Sequence, residues 1–372
     1  YASDTAIISE DALITAASSS DNGGKVTIEG DKVGLFDNTS IDVSGNTGGG
    51  EVLVGGDYQG NNPDVQNARL TYVGDDVSIN ADAIDTGDGG KVIVWSDKTT
   101  HFYGEISATG GSESGDGGFA EVSGKENLNF DGLVNLSAES GESGTLLLDP
   151  TNIEVIAGGE VVGTSTEAAL TDVDQFADAD IDNGNGGADA TTNSIDNGII
   201  NTQLQTGTNV ILQATNDVTV TDSIDGTGGA GGIIIQAGNN ITVNNTITTD
   251  GGVIYLEANS QPAGGDQDAG DLTVNNALTS NGGDITLLGN NLTFGATIDA
   301  GSGDIAVSDL ALNGLTFDAA DLGGAATATT SIQNLQTSGT ITLGQAQVAD
   351  NTGNIGAGTL RTLENINLDL HL

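Results

Sequence analysis

The chain contains no cysteine and no methionine among its 372 residues. The lack of cysteine excludes a disulfide framework, thiolate catalysis, a Cys-ligated zinc site and an iron–sulfur cluster. Only 3 prolines accompany 58 glycines, and no Gly-X-Y period runs through the chain, which excludes collagen. The missing initiator methionine predicts an excised or processed piece, and the first residues lack the basic and apolar regions of a signal peptide.

Basic residues are scarce. The chain has 7 Lys and Arg against 53 Asp and Glu, a formal charge of −46 and a sequence pI near 4.1. Binding to duplex nucleic acid needs many Lys and Arg, so we expect no nucleic-acid partner. Arg361 is the only basic residue after position 125. One interpretation is a solvated acidic face that opposes aggregation, and the other is a surface whose carboxylates are screened or bridged by cations.

Long apolar runs are also lacking. No window approaches the 18 consecutive apolar residues of a transmembrane helix, so we expect no membrane insertion. The apolar residues fall instead in short blocks, such as residues 92–95, 146–148, 210–212 and 233–235. Short apolar blocks bounded by Gly, Asn and Asp are typical of β-strands, and they argue against a disordered acidic tail.

Glycine pairs mark an internal repeat. A Gly-Gly pair, or a close variant of it, opens an apolar run at eight places along the chain. The pairs recur at about 20 to 28 residues with variable inserts, which indicates a solenoid. The eight openings are Gly23, Gly49, Gly89, Gly117, Gly231, Gly251, Gly282 and Gly301.

Each period holds three short alternating runs, as in residues 233–237, 240–243 and 246–248. Such a unit cannot bury its inward side chains alone, but stacked units bury a continuous column of Val, Ile and Leu. The sequence therefore predicts an all-β fold, a right-handed parallel β-helix. A β-sandwich is the competing fold, although it gives no reason for Gly-Gly openings in a constant phase.

The strand pattern stops between residues 157 and 203, where Asp, Ala, Asn and Gly dominate. We predict a β-helix over 1–156, an acidic insertion or junction over 157–203 and a second β-helical part over 204–372. A capping box at Thr164 and Glu167, followed by apolar residues at helical spacing, predicts a short helix from about 166 to 178.

One block carries a family resemblance. The run Gly-Thr-Leu-Leu-Leu-Asp-Pro-Thr-Asn-Ile at 144–153 resembles a signature of the filamentous-haemagglutinin-like exoproteins of bacterial two-partner secretion. The segments at 89–96, 102–106 and 115–124 resemble the repeats that precede this block in the family. The segments at 199–210 and 214–220 resemble the repeat that follows it. The specific part of the resemblance covers roughly residues 89–243.

The resemblance implies a secreted bacterial surface adhesin or extracellular matrix protein, located outside the cell or on its surface. It would be a rigid β-helical rod that self-associates into fibres or binds a glycan or other cell-surface receptor. Export would use an outer-membrane pore, recognised through parts that this chain lacks, because the amino-terminal secretion signals of the family are absent. No Arg-Gly-Asp tripeptide occurs either.

A carbohydrate-binding or carbohydrate-cleaving β-helix is the alternative. Catalysis on polysaccharides needs a basic residue beside calcium carboxylates, or two carboxylates on one face, and neither pattern stands out, so we expect no enzyme activity. Trp95, His101 and Tyr103 form the aromatic-rich neighbourhood and are the candidate glycan-binding residues. The competing interpretation is that these rings fill the core.

The acidic insertion holds the candidate metal ligands Asp178, Asp180, Asp182 and Asp189. Their spacing resembles a calcium loop imperfectly, because an EF-hand places Gly at its sixth position and Glu at its twelfth, where this chain has Asn183 and Asp189. Both interpretations, a calcium-ordered loop and a flexible acidic loop, therefore stand as alternatives. We predict no required cofactor, with calcium as the one candidate ion.

Overall fold

The computed structural model describes residues 2–158, 176, 193–260, 263–264, 270–309, 335–337 and 341–343. Over these residues the chain is mostly β, with parallel sheets and almost no helix. This architecture is compatible with the predicted all-β parallel solenoid. The chain separates into two compact units: residues 1–153 with 158–211, and residues 154–157 with 212–372. The three-part division at 156/157 and 203/204 stays a prediction.

The first unit contains three parallel sheets, and each successive repeat adds one strand to every sheet. Sheet A consists of β1 (Thr5–Ile8), β4 (Lys32–Leu35), β7 (Leu70–Val73), β10 (Thr99–Phe102) and β13 (Asn127–Phe130). Sheet B consists of β2 (Leu13–Thr15), β5 (Ser40–Asp42), β8 (Ser78–Asn80), β11 (Glu105–Ser107) and β14 (Leu133–Asn135). In the first unit, sheet C contains β3 (Lys25–Ile28), β6 (Glu51–Val54), β9 (Lys91–Ser96), β12 (Phe119–Gly124) and β15 (Thr145–Leu148).

The first four strands of sheet C begin directly after glycine pairs. The first residues pair in register from repeat to repeat, Lys25 with Glu51, Glu51 with Lys91 and Lys91 with Phe119. The constant phase of the Gly-Gly openings therefore predicted correctly which strands are equivalent. A constant register keeps equivalent side chains on the same face from repeat to repeat, because side chains alternate between the two faces of a strand.

Inward side chains of successive repeats stack into apolar columns. In sheet B, Ile41, Ile79 and Ile106 pair in register and are all fully buried. In sheet A, the rings of Phe102 and Phe130 stack with centroids 5.7 Å apart. Burial of these columns is the main stabilising contribution, at about 25 cal/mol per Å² of apolar surface.

The second unit repeats the same plan in register, with Ile233 pairing with Ile254 and Ile254 pairing with Ile285. One set of strands consists of β21 (Ile233–Ala237), β24 (Ile254–Ala258), β27 (Ile285–Gly289), β30 (Ile305–Asp309) and β32 (Ile341–Leu343). The second consists of β19 (Val218–Val220), β22 (Ile241–Val243), β25 (Asp271–Val274) and β28 (Asn291–Phe294). The third consists of β20 (Ile224–Asp225), β23 (Ile247–Thr248), β26 (Leu278–Thr279), β29 (Ile298–Gly301) and β31 (Leu335–Thr337).

The remaining elements lie around the predicted junction. They are β16 (Ile153–Ile156), β17 (Asn193–Asp196), helix α1 (Asn197–Gln205) and β18 (Asn209–Ala214). The helix predicted at 166–178 lies outside the described residues, except for Phe176, which is helical and fully buried.

Helix α1 departs from the expectation that residues 199–210 form a repeat of strands. Asp196 caps the helix, since its Oδ1 accepts the Gly198 N–H at 2.6 Å. Ile200 and Leu204, four residues apart, are buried on one face. An N-cap and an i, i+4 apolar pair explain the helix, and both signals were present in the sequence.

Candidate functional site

The outward face of sheet C is the unusual surface of the first unit. Strand alternation directs Leu53, Ile93, Glu121 and Leu147 outward, in register with one another. Such positions usually contact water, yet each of these side chains is at most 2% exposed. Another part of the chain must therefore cover them.

The cover is the segment between β6 and β7, residues 55–69, called here the covering loop. Leu53, Ile93 and Trp95 form an apolar cluster against which Val65 of the loop and Phe119 pack. A Cβ placed on Gly60 would lie 2.6 Å from Nε1 of Trp95, so the loop backbone passes directly over the indole. The loop thus buries an apolar patch that the strand pattern alone would leave exposed.

Polar contacts hold both ends of the covering loop. Asp57 accepts the Tyr58 N–H at 2.7 Å and the Asn62 side-chain amide at 2.7 Å. Near the other end, the Asn67 amide donates to the Gly60 carbonyl at 2.9 Å and to Asp97 at 3.0 Å. These bonds shape a 3-10 turn, Tyr58–Gly60, above the sheet.

Gln59, at the centre of this turn, joins the loop to two buried acids. Its backbone N–H faces both carboxyl oxygens of Glu121, at 3.2 and 3.1 Å. Its side-chain amide donates to Oδ2 of Asp149 at 3.3 Å. Gln59 has a φ of 51° and a ψ of 24°, the left-handed region that non-glycine residues rarely adopt. One strained residue therefore contacts both acids.

Burial raises the pKa of both acids. Desolvation is the main cause for Glu121; the hydrogen bond from the Gln59 N–H opposes it, the neighbouring Asp149 adds to it, and the pKa is raised to about 8. Desolvation likewise raises the pKa of Asp149 to about 7. Burial and the two acids also raise the pKa of the Tyr58 hydroxyl.

A chain of ion pairs borders this region. Nζ of Lys25 lies 2.6 Å from Glu51, and Nζ of Lys91 lies 3.2 Å from Glu51 and 2.9 Å from Asp57. Partial burial pushes the pKa of Asp57 upward, but hydrogen bonds from Asn62, Lys91 and the Tyr58 N–H outweigh burial and hold it at about 2. The two lysines are thus already paired with carboxylates.

An open groove of about 840 Å³ lies beside these ion pairs. The glycine pairs of three successive repeats line it, together with Lys25, Glu51 and Lys91. Tyr58 and Phe119 also line it, with ring centroids 5.9 Å apart. Tyr58 is 45% exposed, so the groove offers an aromatic face and charged hydrogen-bonding groups to a ligand.

The structure does not bring the three predicted glycan-binding residues together. Trp95 is on sheet C, 3% exposed beneath the covering loop, with its Nε1 donating to Asp97 at 3.2 Å. His101, on strand β10 of sheet A, is 5% exposed and stacks on Tyr103 with centroids 6.3 Å apart. The residues separate because β9 and β10 belong to different sheets. A glycan-binding role for these residues stays a prediction, and the indole of Trp95 is buried.

The predicted calcium ligands Asp178, Asp180, Asp182 and Asp189 lie outside the described residues. Within the described ranges, no group of three or more His, Asp or Glu side chains is arranged to hold a metal ion. The calcium site therefore stays a prediction.

Sequence reasoning gave no role to Glu121, Asp149 or Gln59. A signal for Glu121 was present, because alignment of the glycine pairs places it in the same column as the apolar Leu53 and Ile93. An acid in an apolar column indicates burial with a special partner. Nothing comparable marked Gln59, whose contacts span 62 and 90 residues of sequence.

No family model matches the chain, and no curated protein matches it. Among the described helices, none is long and apolar enough to cross a membrane.

Proposed function

We propose that the chain is a right-handed parallel β-helical segment of a secreted bacterial exoprotein of the filamentous-haemagglutinin-like kind. Its role is structural or adhesive, at the cell surface or in an extracellular matrix. The observation that carries the proposal is the in-register stacking of successive repeats in three parallel sheets. Each repeat contacts mainly its neighbours in such an architecture, which makes it suited to extended display surfaces.

The packing of the interior supports a role that depends on surfaces. The inward columns consist of Val, Ile, Leu and Phe side chains with little or no exposure. Ligands and receptors must therefore bind the outer faces, where the chain presents exposed acidic side chains such as Glu105 and Glu113, its polar turns and the groove.

The block at 144–153, which carries the family resemblance, has a defined place in the repeat. Strand β15 (Thr145–Leu148) pairs with β12, with Leu146 and Leu148 buried. Asp149 then follows on the outward side, where Gln59 reaches it. The block thus occupies a defined position in the repeat, and the carboxyl group of Asp149 helps to hold the covering loop.

Beads coated with the chain test the adhesive and structural roles together. We expect the beads to cluster with one another or to bind cells, according to whether the surface recognises itself or a receptor. Ile79→Asp, which places a charge in a fully buried column, should abolish both effects. Ile84→Asp adds the same charge at a side chain that is 50% exposed and should retain them. Beads of the wild-type chain that neither cluster nor bind cells would refute the proposal.

Carbohydrate binding is the second candidate function, and the groove is the observation that favours it. The rings of Tyr58 and Phe119 suit the apolar face of a sugar, while Lys25, Lys91 and Glu51 suit its hydroxyl groups. A neutral sugar fits best, because both lysines already pair with carboxylates and the chain carries a charge of −46. Among the residues lining the groove, Glu51 is the sole carboxylate, which favours binding over a two-carboxylate hydrolysis.

A glycan array and a reducing-sugar assay separate these outcomes. We expect the wild type and Tyr58→Phe to bind a neutral glycan. Tyr58→Ala should lose this binding. Tyr255→Ala, a tyrosine change in the second unit, is the matched control and should leave binding unchanged. Binding that survives in Tyr58→Ala would exclude the groove, and release of reducing sugar would show cleavage.

A further inference from the structure

We infer that the covering loop is a pH-sensitive clasp, closed over sheet C while Glu121 and Asp149 are protonated and opened by their ionisation, which uncovers Trp95. This device is independent of whether the groove binds a sugar. It rests on the contacts of Gln59, the burial of two acids and the apolar patch that the loop covers.

Gln59 attaches the covering loop to both acids. Gln59 contacts Glu121 through its backbone N–H and Asp149 through its side-chain amide. Its left-handed backbone conformation costs free energy that these contacts must offset. Loss of favourable geometry at either acid therefore weakens the attachment of the whole turn.

Hydrogen bonds from Gln59 and Ser123 and the charge of Lys91 stabilise the ionised acids, but they offset only part of the cost of burying the negative charge. In the sheet, Glu121 lies between Ile93 and Leu147. Ser123 and Asp149 lie on the same face of the sheet as Glu121. Tyr58 and Gln59 of the covering loop lie above it. Lys91 is the cation that acts on Glu121, and it already donates to Glu51 and Asp57. Asp97, farther along, is engaged by Trp95 and Asn67. Two ionised acids here would repel each other without water.

Opening the loop relieves this repulsion, since water then solvates both carboxylates. The closed loop holds the pKa of Asp149 at about 7 and that of Glu121 at about 8, both above their ordinary values. The closed state thus binds protons that the open state releases. The open-to-closed ratio should rise about tenfold per pH unit for each proton released, and level off above about pH 8.

Trp95 reports the state of the loop without any label. It is the single tryptophan of the chain, it is 3% exposed, and the loop backbone crosses its indole at Gly60. Opening exposes the indole to solvent. Exposure to a neutral quencher, with the constant divided by the unquenched lifetime, is a better measure than intensity, because intensity also changes with charges that titrate near the ring.

The experiment is acrylamide quenching of Trp95 from about pH 5.5 to about pH 9.5, with far-UV circular dichroism to verify that the sheets persist. We expect the quenching constant to rise about threefold or more between about pH 6 and about pH 8, reversibly, while the dichroism stays constant. Glu121→Gln with Asp149→Asn removes both titrating groups and should give a flat profile. Glu105→Gln, an exposed acid on strand β11, is the matched control and should keep the rise.

A quenching constant that does not change with pH in the wild-type chain would overturn the inference, as would an unchanged rise in the double variant. Should the double variant fail to fold, hydrogen exchange of the wild-type loop at the two ends of the pH range decides the question. After correction for intrinsic exchange, the amides of residues 55–69 should lose protection at high pH while those of sheet B keep it. Equal protection at both values would also overturn the clasp.

Discussion

At the scale of single residues, glycine is required where neighbouring repeats approach most closely. A Cβ on Gly49 would overlap the carbonyl oxygen of Ala81 and the backbone N of Gly90. Both obstacles are backbone atoms, which cannot rotate away. The glycine pairs that reveal the repeat in the sequence are therefore explained by the spacing between repeats.

Gly49→Ala should destabilise the first unit by about 1 to 3 kcal/mol, the overpacking cost typical of cores. Gly74→Ala is the matched control, because a Cβ there would meet its nearest neighbours at ordinary distances of 3.5 Å and beyond. Urea unfolding of both variants measures the difference. Equal midpoints for the two would show that the close approach at Gly49 is not what selects glycine.

Lys91 is the residue that links the ion pairs bordering the groove. Lys91→Met removes its contacts with Glu51 and Asp57 and should cost about 1 kcal/mol or less at neutral pH, as expected for partly exposed pairs. The pKa of Asp57 is lowered to about 2, so its contribution is present above about pH 4 and is lost as the pH falls toward 2.

The difference in unfolding free energy between wild type and Lys91→Met should therefore shrink below about pH 4 and in high salt. Lys125→Met, a change at an exposed lysine on a turn, is the control and should show neither dependence. A difference that stays constant down to pH 2 would mean that the pairs do not stabilise the fold.

At the scale of elements, the two faces of a strand differ sharply in what they tolerate. Leu136 directly follows strand β14 and is fully buried, while Leu133 at the start of the same strand is 56% exposed. Leu136→Ala should cost about 2 to 5 kcal/mol, because it leaves a cavity in a packed column. Leu133→Ala should change stability by less than about 0.5 kcal/mol. Thermal unfolding of the pair checks this, and similar losses for both would contradict the observed orientation of β14.

Elements were predictable from the sequence where they obey the repeat. The glycine pairs located the strands of sheet C because every repeat contributes one strand in the same phase. The covering loop was visible only as the longer interval between Gly49 and Gly89. Where it packs depends on contacts such as Gln59 to Asp149, which are 90 residues apart, and no periodicity encodes them. Helix α1 was missed because its resemblance to a strand repeat outweighed its cap at Asp196.

At the scale of the whole molecule, charge is the property that the sequence states most directly. Its acidic residues are distributed over every repeat, and the formal charge is −46. Self-repulsion of this size opposes a compact state and is weakened by salt. The Debye length falls from about 30 Å at 0.01 M to about 10 Å at 0.1 M ionic strength, so repulsion between repeats should be reduced over that range.

The melting temperature should therefore rise as sodium chloride increases from about 0.01 to about 0.5 M, since the folded state concentrates like charges more than the unfolded chain does.

Calcium chloride at matched ionic strength separates screening from binding. An additional rise with calcium, lost when Asp178, Asp180, Asp182 and Asp189 are changed to Asn, would place an ion in the acidic insertion. An equal rise with both salts assigns the acidic surface to solvation alone. A melting temperature that falls with sodium chloride would show that the ion pairs around Lys91 outweigh the repulsion of the whole chain.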